Sequence, residues 1–188
     1  MKILDDCNLE SDRLIIRKFT TQDYKEMFLN WASDPLTSKF LDWNAHENEE
    51  VTKNIVQCWI DDYDKGIYNW VVQLKNTNQL IGSISVVGQD LGAKSVEIGY
   101  CYGSKFWGNG YASEALKCVI KFFFDKTDTL LVEAKHISGN PASGSVMQKA
   151  GMKFDASLRL RKLNKFTKQL DDLIVYSITK SEYRKLII

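Results

Sequence analysis

Cysteine and histidine are too few and too scattered in this chain to build a metal or disulfide framework. The four cysteines, Cys7, Cys58, Cys101 and Cys118, stand far apart with no C-x-x-C spacing, and the two histidines, His46 and His136, complete no ligand pattern. Disulfides and structural zinc are argued against, and no metal is expected. An excess of one charge is lacking as well. The 25 Lys and Arg nearly balance the 24 Asp and Glu, so direct nucleic-acid binding, which needs a basic footprint, is not expected and a small ligand fits better. No apolar run approaches membrane-spanning length. The opening Met1-Lys2-Ile3-Leu4-Asp5-Asp6 carries acids where a signal peptide would need an apolar region. A cytoplasmic location away from membranes is expected. Repeats, linkers and low-complexity segments are also missing. What is present, 44% hydrophobic and 26% charged residues over 1–188, is ordinary for a single domain that buries about 70% of its unfolded surface in one core.

Along the chain, Arg13 to Phe19 reads as a first strand, and Thr20-Thr21-Gln22-Asp23 supplies caps for a helix whose apolar stripe is Tyr24, Met27, Phe28 and Trp31. Asp34-Pro35 interrupts that pattern. A second helix, about Glu47 to Tyr63, places Val51, Ile55, Cys58 and Trp59 on one face, and the two helices are expected to frame a cleft. Tyr68 to Leu74, Gln79 to Val87 and Lys94 to Tyr102 read as an antiparallel meander, its second turn lying at Gly88 to Gly92. A helix from Tyr111 repeats apolar residues at Ala112, Ala115, Leu116, Val119, Ile120 and Phe123. The strand Leu130 to Lys135 and a helix from Ala142 to Ala150 follow. Strand, helix and strand make a crossover unit. Met152 to Leu163 and Leu170 to Thr179 then pair across the polar turn Asn164-Lys165. The fold class is α/β with a mixed sheet.

Between the strand ending at Tyr102 and the helix at Tyr111 lies Trp107-Gly108-Asn109-Gly110-Tyr111-Ala112. Two glycines and a small residue let the backbone turn tightly, and N–H groups at a helix start face any anion placed there. Three readings are open: a pyrophosphate cradle, a dinucleotide site, or a tight turn between packed elements. A dinucleotide fingerprint would come early in a parallel array, and a Walker A loop would need Gly-Lys-Ser or Gly-Lys-Thr, which is absent. Asn140-Pro141-Ala142-Ser143 opens the next helix and suits plain capping. Yet parallel strands joined by the Tyr111 helix would bring both junctions to one edge of the sheet, where open sheets bind ligands.

Arg13-Leu14-Ile15-Ile16-Arg17, Glu97-Ile98-Gly99-Tyr100, Trp107 to Ala112, Asn140 to Ser143, Lys149-Ala150-Gly151-Met152 and Asp172-Leu173-Ile174-Val175-Tyr176-Ser177 together resemble the GNAT N-acetyltransferases. More narrowly they resemble the branch of RimJ/RimL-type ribosomal-protein N-terminal acetyltransferases. The likeness runs in order from about Asp12 to Tyr183. It implies the GNAT fold: about seven strands, a central parallel pair that opens as a V around acetyl-CoA, and flanking helices. It implies that backbone groups of Tyr100, Cys101 and Tyr102 pair with the pantetheine arm and that Asn140 contacts the same arm. It also implies that Trp107, Gly108, Asn109, Gly110, Tyr111, Ala112 and Ser113 hold the pyrophosphate. Trp107 stands where the family motif has Gln or Arg, so the loop's backbone N–H groups are expected to carry the binding. A homodimer is also consistent with the family.

The implied reaction is direct attack of an amine on the acetyl thioester in a ternary complex. A protein α-amine, with a pKa of about 7.7 to 8.0, is roughly a tenth or more unprotonated at neutral pH, whereas lysine at about 10.4 is almost wholly charged. An α-amine therefore needs only a modest base. Glu97 is the candidate, acting directly or through water; a salt-bridged or surface carboxylate is the plain alternative, and Glu133 and Asp172 are weaker candidates. The base that some GNAT enzymes carry on the neighbouring strand aligns with Lys135. Many members place a tyrosine seven residues beyond the motif asparagine to protonate the thiolate, but here that residue is Met147. Ser143 is the nearest matched hydroxyl. The oxyanion is expected to face a backbone N–H near Cys101. A covalent acetyl-Cys101 is disfavoured, since no histidine lies near it in sequence. Trp31, Trp43, Trp59, Tyr63, Tyr68 and Trp70 either line an acceptor pocket or fill the core, and Asp61-Asp62-Tyr63-Asp64 either attracts a cationic amine or is a solvated helix end. The branch favours a protein N-terminal amine, ribosomal or of another protein, with polyamines, amino acids and an aminoglycoside as alternative acceptors. A non-catalytic acyl-CoA sensor and a nucleotide-binding oxidoreductase are the readings from other classes.

Overall fold

The computed structural model describes residues 7–186; the acid-rich reading of Met1 to Asp6 lies outside the described residues. The chain forms β1 (Leu9–Glu10), β2 (Leu14–Lys18), α1 (Tyr24–Met27), α2 (Pro35–Ser38), α3 (Glu49–Asp62), β3 (Asn69–Leu74), β4 (Leu80–Asp90), β5 (Ser95–Tyr102), α4 (Tyr111–Lys126), β6 (Leu131–Ile137), α5 (Pro141–Lys149), β7 (Lys153–Leu163), β8 (Leu170–Thr179) and α6 (Lys180–Leu186). The strands make one eight-stranded sheet in the order β1-β2-β3-β4-β5-β6-β8-β7. Among the described strands only β5 and β6 run parallel. The strand beyond the expected seven is β1, whose two residues are too few to show an alternating pattern.

The larger core lies between the sheet and α4. Ala115, Leu116, Val119, Ile120 and Phe123 form the helix's buried stripe, and Phe122 and Phe124 widen it. Tyr68 and Trp70 stack at 5.2 Å, and the edges of Phe122 and Phe123 meet them. Phe19, Met27, Trp31, Ala32, Val56, Val71 and Leu80 form a smaller core on the other side. β3, closed on both faces, is buried along nearly all its length. β7 is one of the two sheet edges and lies open.

Four expectations change. The first helix is broken: α1 covers one turn and passes into a π-helical turn over Phe28–Ala32. Asp23 binds Arg17 and the Thr20 N–H instead of capping it. On α3 the buried residues are Thr52 and Val56, with Trp59 packed beside them, while Val51, Ile55 and Cys58 face solvent. A threonine can occupy that stripe because His46 Nδ1 lies 2.8 Å from its hydroxyl, so a hydrogen bond replaces the apolar side chain. The second meander turn falls later, since a bulge at Val86/Gly88 lets β4 continue to Asp90. In the last hairpin, Asn164 accepts the Phe166 and Thr167 N–H groups and organises a longer connection than the expected Asn164-Lys165 turn. Among the described residues, no helix is long and apolar enough to cross a membrane.

Candidate active site

The parallel ladder between β5 and β6 is short. Ser95, Val96 and Glu97 pair with Leu131, Val132 and Glu133, and pairing stops there. β5 nevertheless continues on β4 as far as Tyr102 opposite Gly82, and β6 continues on β8 as far as Ile137 opposite Leu173. The two central strands therefore diverge, and their facing edges have no strand partner along Ile98–Tyr102 and Ala134–Ile137. The Tyr102 carbonyl accepts the Trp107 indole and the Ile137 carbonyl accepts the Asn140 N–H; the backbone groups between these ends have no strand partner and can receive an extended ligand. This is the opening implied by the family resemblance, with the Tyr100, Cys101 and Tyr102 backbone along one wall.

Strand alternation distributes the side chains around the split. Val96, Ile98 and Tyr102 join the core under α4, as do Val132 and Ala134 of β6. Glu97 and Lys135 occupy the opposite face, where the Lys135 ammonium lies 2.6 Å from the Glu97 carboxylate. Glu97 is thus salt-bridged, and Glu133 sits opposite it in register. Asp172 is committed elsewhere, accepting the Ser157 hydroxyl and the Leu160 N–H inside the β7–β8 irregularity.

On the α4 and α5 face, Tyr100 reaches Ser143. Its phenol oxygen lies 2.9 Å from Ser143 Oγ and 3.0 Å from the Ser143 carbonyl oxygen. Burial pushes the phenol's pKa up, outweighing the bond to Ser143. α5 approaches closely because residue 144 is glycine: a Cβ there would stand 2.7 Å from His136 Nε2. Asn140 precedes this helix but makes no side-chain cap, so its amide remains open to a ligand. Met147 is 1% exposed and belongs to the core.

The glycine loop joins β5 to α4. Gly108 and Gly110 both have φ of +79°, a left-handed conformation that a side chain would strain. No side chain caps α4, which leaves its first N–H groups open. The other groups of the loop hold it in shape. The Trp107 indole N–H donates to the Tyr102 carbonyl at 2.7 Å, Asn109 Nδ2 donates to the Phe106 and Trp107 carbonyls, and the Ser113 hydroxyl donates to the Gly110 carbonyl. Arg13 braces it from outside, donating to the Asn109 carbonyl, pairing with Glu114 and lying 4.6 Å over the Tyr111 ring. Partial burial pushes the Glu114 carboxyl up, but bonds from Ser11 and Arg13 outweigh it and hold the pKa below the usual range.

Cys101 backs onto the smaller core, and burial pushes its thiol well above the ordinary range against a weaker bond from Ser83. That is the reverse of an activated nucleophile. Of the aromatic residues weighed for an acceptor pocket, Trp31, Tyr68 and Trp70 are core. Trp59 packs on Phe19, and the Tyr63 hydroxyl is spent on Phe19 N and Asn69 O. Trp43 stays half-buried in the segment between α2 and α3, and Lys165 from the last hairpin donates to its carbonyl. Lys162 pairs with Asp42 beside it. These contacts latch the hairpin to that segment. Asp61 and Asp62 pair with Gln57 and Lys65, as a solvated helix end does.

The sequence readings did not anticipate the Tyr100 phenol, the Lys135 partner of Glu97, or the Arg13 brace. Each acts across the fold, and only the parallel register of β5 and β6 was a local hint of the Glu97 neighbourhood.

Comparison with known proteins adds the family. A model described as an acetyltransferase (GNAT) domain matches residues 13–153. A Bacillus subtilis (strain 168) protein called uncharacterized N-acetyltransferase YoaA is 30% identical over 173 residues, covering 92% of this chain and 96% of that one. Among solved structures, an acetyltransferase of the GNAT family from Bacillus anthracis superposes with a TM-score of 0.81 at 27% identity, over 93% of this chain and 99% of the other. RimL, a ribosomal alpha-N-protein acetyltransferase in complex with coenzyme A, superposes at 0.78 with 19% identity, over 90% and 95%. At that identity the likeness is one of fold.

Proposed function

The chain belongs to the GNAT acetyltransferases, and from that premise we propose that it transfers acetyl from acetyl-CoA to a primary amine within the split between β5 and β6. The acceptor we favour is a protein N-terminal α-amine. The observation that carries this reading is the split itself, because it offers an unpaired strand edge for an extended arm and has Ser143 and Glu97 on opposite faces. When bound, acetyl-CoA supplies the activated acyl group as a thioester. The residues of this chain bind and orient it: N–H groups from Gly108 to Ser113 receive the pyrophosphate, and the β5 edge from Tyr100 to Tyr102, with Asn140, receives the arm. Gly110, at φ +79° with only Arg13 Nη2 and Ser113 Oγ within 4 Å of a built Cβ, leaves the room that such a cradle needs.

Glu97 takes the amine proton, directly or through water, on the face away from α4. Lys135 fixes the Glu97 carboxylate, and its positive charge disfavours a second ammonium beside it. A carboxylate is only a modest base, which suits an amine that is already partly neutral at pH 7. A small amine such as a polyamine, amino acid or aminoglycoside would use the same chemistry. Met147, core-bound where other members place an acidic tyrosine, is the observation behind the second reading, a sensor that binds acyl-CoA without transferring it.

Release of free thiol from acetyl-CoA should be measured against peptides with free N-termini, the same peptides N-blocked but carrying lysine, and a panel of small amines. Release with free N-termini alone is expected. Release with small amines alone would reassign the acceptor, and tight binding without release from any amine would leave the sensor.

A further inference from the structure

We propose that Tyr100 is a positioning residue whose phenol exchanges its hydrogen bond between the carbonyl and the hydroxyl of Ser143, and so decides where the Ser143 proton points. This rests on the reading that Ser143 stands beside the sulfur of bound CoA.

The phenol has one proton and two acceptors within reach, Ser143 O at 3.0 Å and Ser143 Oγ at 2.9 Å. The carbonyl can only accept, whereas the two hydroxyls can each give or receive. Two arrangements fit the same heavy-atom positions. In the first, Tyr100 donates to the carbonyl and the Ser143 hydroxyl donates back to the phenol oxygen, so the serine proton is consumed inside the pair. In the second, Tyr100 donates to Ser143 Oγ, and the serine proton turns outward to a third acceptor. No heavy atom moves between them.

What stands in the split selects the arrangement. A neutral thioester sulfur is a weak acceptor and leaves the closed arrangement in place. A thiolate is charged, and a hydrogen bond to a charged acceptor is roughly twice as strong as a neutral one. It draws the serine proton outward, and the phenol follows by turning to Ser143 Oγ, which also polarises the serine as a donor. The carbonyl left behind loses little, since it belongs to α5 and keeps the partner its helix gives it. Ser143 lies in the first turn of this nine-residue helix, where the backbone dipole also favours negative charge. No covalent bond to hydrogen breaks in either residue. The departing thiolate leaves as a hydrogen-bonded anion and takes its proton from solvent, to which Glu97 gives up the proton it took from the amine. The half-buried phenol, its ionisation opposed by burial, stays neutral throughout.

The test uses CoA and acetyl-CoA as probes, because only CoA carries a thiol that can ionise. Dissociation constants for both should be measured by calorimetry between pH 6.5 and 9 for the wild type, Tyr100→Phe, Ser143→Ala and Ser143→Thr. The ratio of the two affinities cancels any general loss of binding. If the bound thiol ionises more readily than a free one, whose pKa is about 8.5, preference for CoA climbs with pH below that value and levels off above it. A climb of about tenfold is expected in the wild type, as one charge-assisted hydrogen bond supplies. It should vanish in Ser143→Ala, persist in Ser143→Thr, and fall to about threefold or less in Tyr100→Phe. A full climb in Tyr100→Phe overturns the role of Tyr100 and leaves the CoA site standing. A flat wild-type ratio with CoA bound overturns the pair. Absence of CoA binding by the wild type would instead remove the reading on which the inference rests.

Discussion

Glu97 illustrates how one neighbour changes what a residue can do. As a carboxylate on an alternating strand it faces either solvent or cleft, and the Lys135 ammonium at 2.6 Å fixes its direction across the mouth of the strand split. In the proposed reaction Glu97 accepts the amine proton, and Glu97→Gln removes that acceptor while keeping the shape of the side chain. Turnover should fall by about 10² to 10⁴-fold, the usual contribution of a positioned base. Acetyl-CoA affinity, which in the proposed site rests on the opposite face, should hardly change. Unaltered turnover would remove Glu97 from the chemistry. Tyr100 and Arg13 teach the same lesson at longer range. Their partners Ser143 and Glu114 lie 43 and 101 residues away in sequence, so no motif spacing could have revealed the pairings.

At the level of elements, the glycine loop is the part whose shape was most legible. Two glycines so spaced predict a tight turn, and Gly108 and Gly110 both adopt positive φ. Gly110→Ala tests whether that shape is needed. An added Cβ would meet nothing closer than Arg13 Nη2 at 3.6 Å, so the cost is backbone strain of roughly 1–2 kcal/mol and not a clash. The change should weaken CoA binding by about tenfold; an unchanged dissociation constant would show that the loop does not need its left-handed turn. α6 went unread, although Thr179-Lys180-Ser181-Glu182 is a capping box: the Glu182 carboxylate accepts the Thr179 N–H, and the Thr179 hydroxyl accepts the Glu182 N–H. Lys153 pairs with the same carboxylate. The bond from Lys153, followed by those from Thr179, lowers the Glu182 pKa to about 2. A lowered folded pKa means stability that is present above the ordinary value of about 4.3 and is lost as pH falls towards 2. Glu182→Gln should therefore flatten the pH dependence of the melting temperature in that window. A slope equal to the wild type's would show that the cap adds nothing there.

For the whole molecule, the meander, the crossover through α4 and the final hairpin followed from periodicity, because long alternating strands and an apolar helical stripe carry strong signals. The rest was hidden for physical reasons. β1 is two residues long, α1 breaks into a π-helical turn, and the inner stripe of α3 includes Thr52, a polar residue made tolerable by His46. Divergence of β5 from β6 is a property of two strands held by different neighbours, β4 and β8, and no local pattern encodes it. The proposed reaction depends on that divergence, since the proposed sites for the donor arm, Glu97 and Ser143 are arranged around it. A crystal structure with bound CoA tests it most directly. The account predicts the pantetheine arm between the two strands beside Tyr100 to Tyr102, the pyrophosphate on the N–H groups of residues 108–113, and the sulfur within hydrogen-bond reach of Ser143. CoA seated outside the split, or with its sulfur turned away from Ser143, would contradict it.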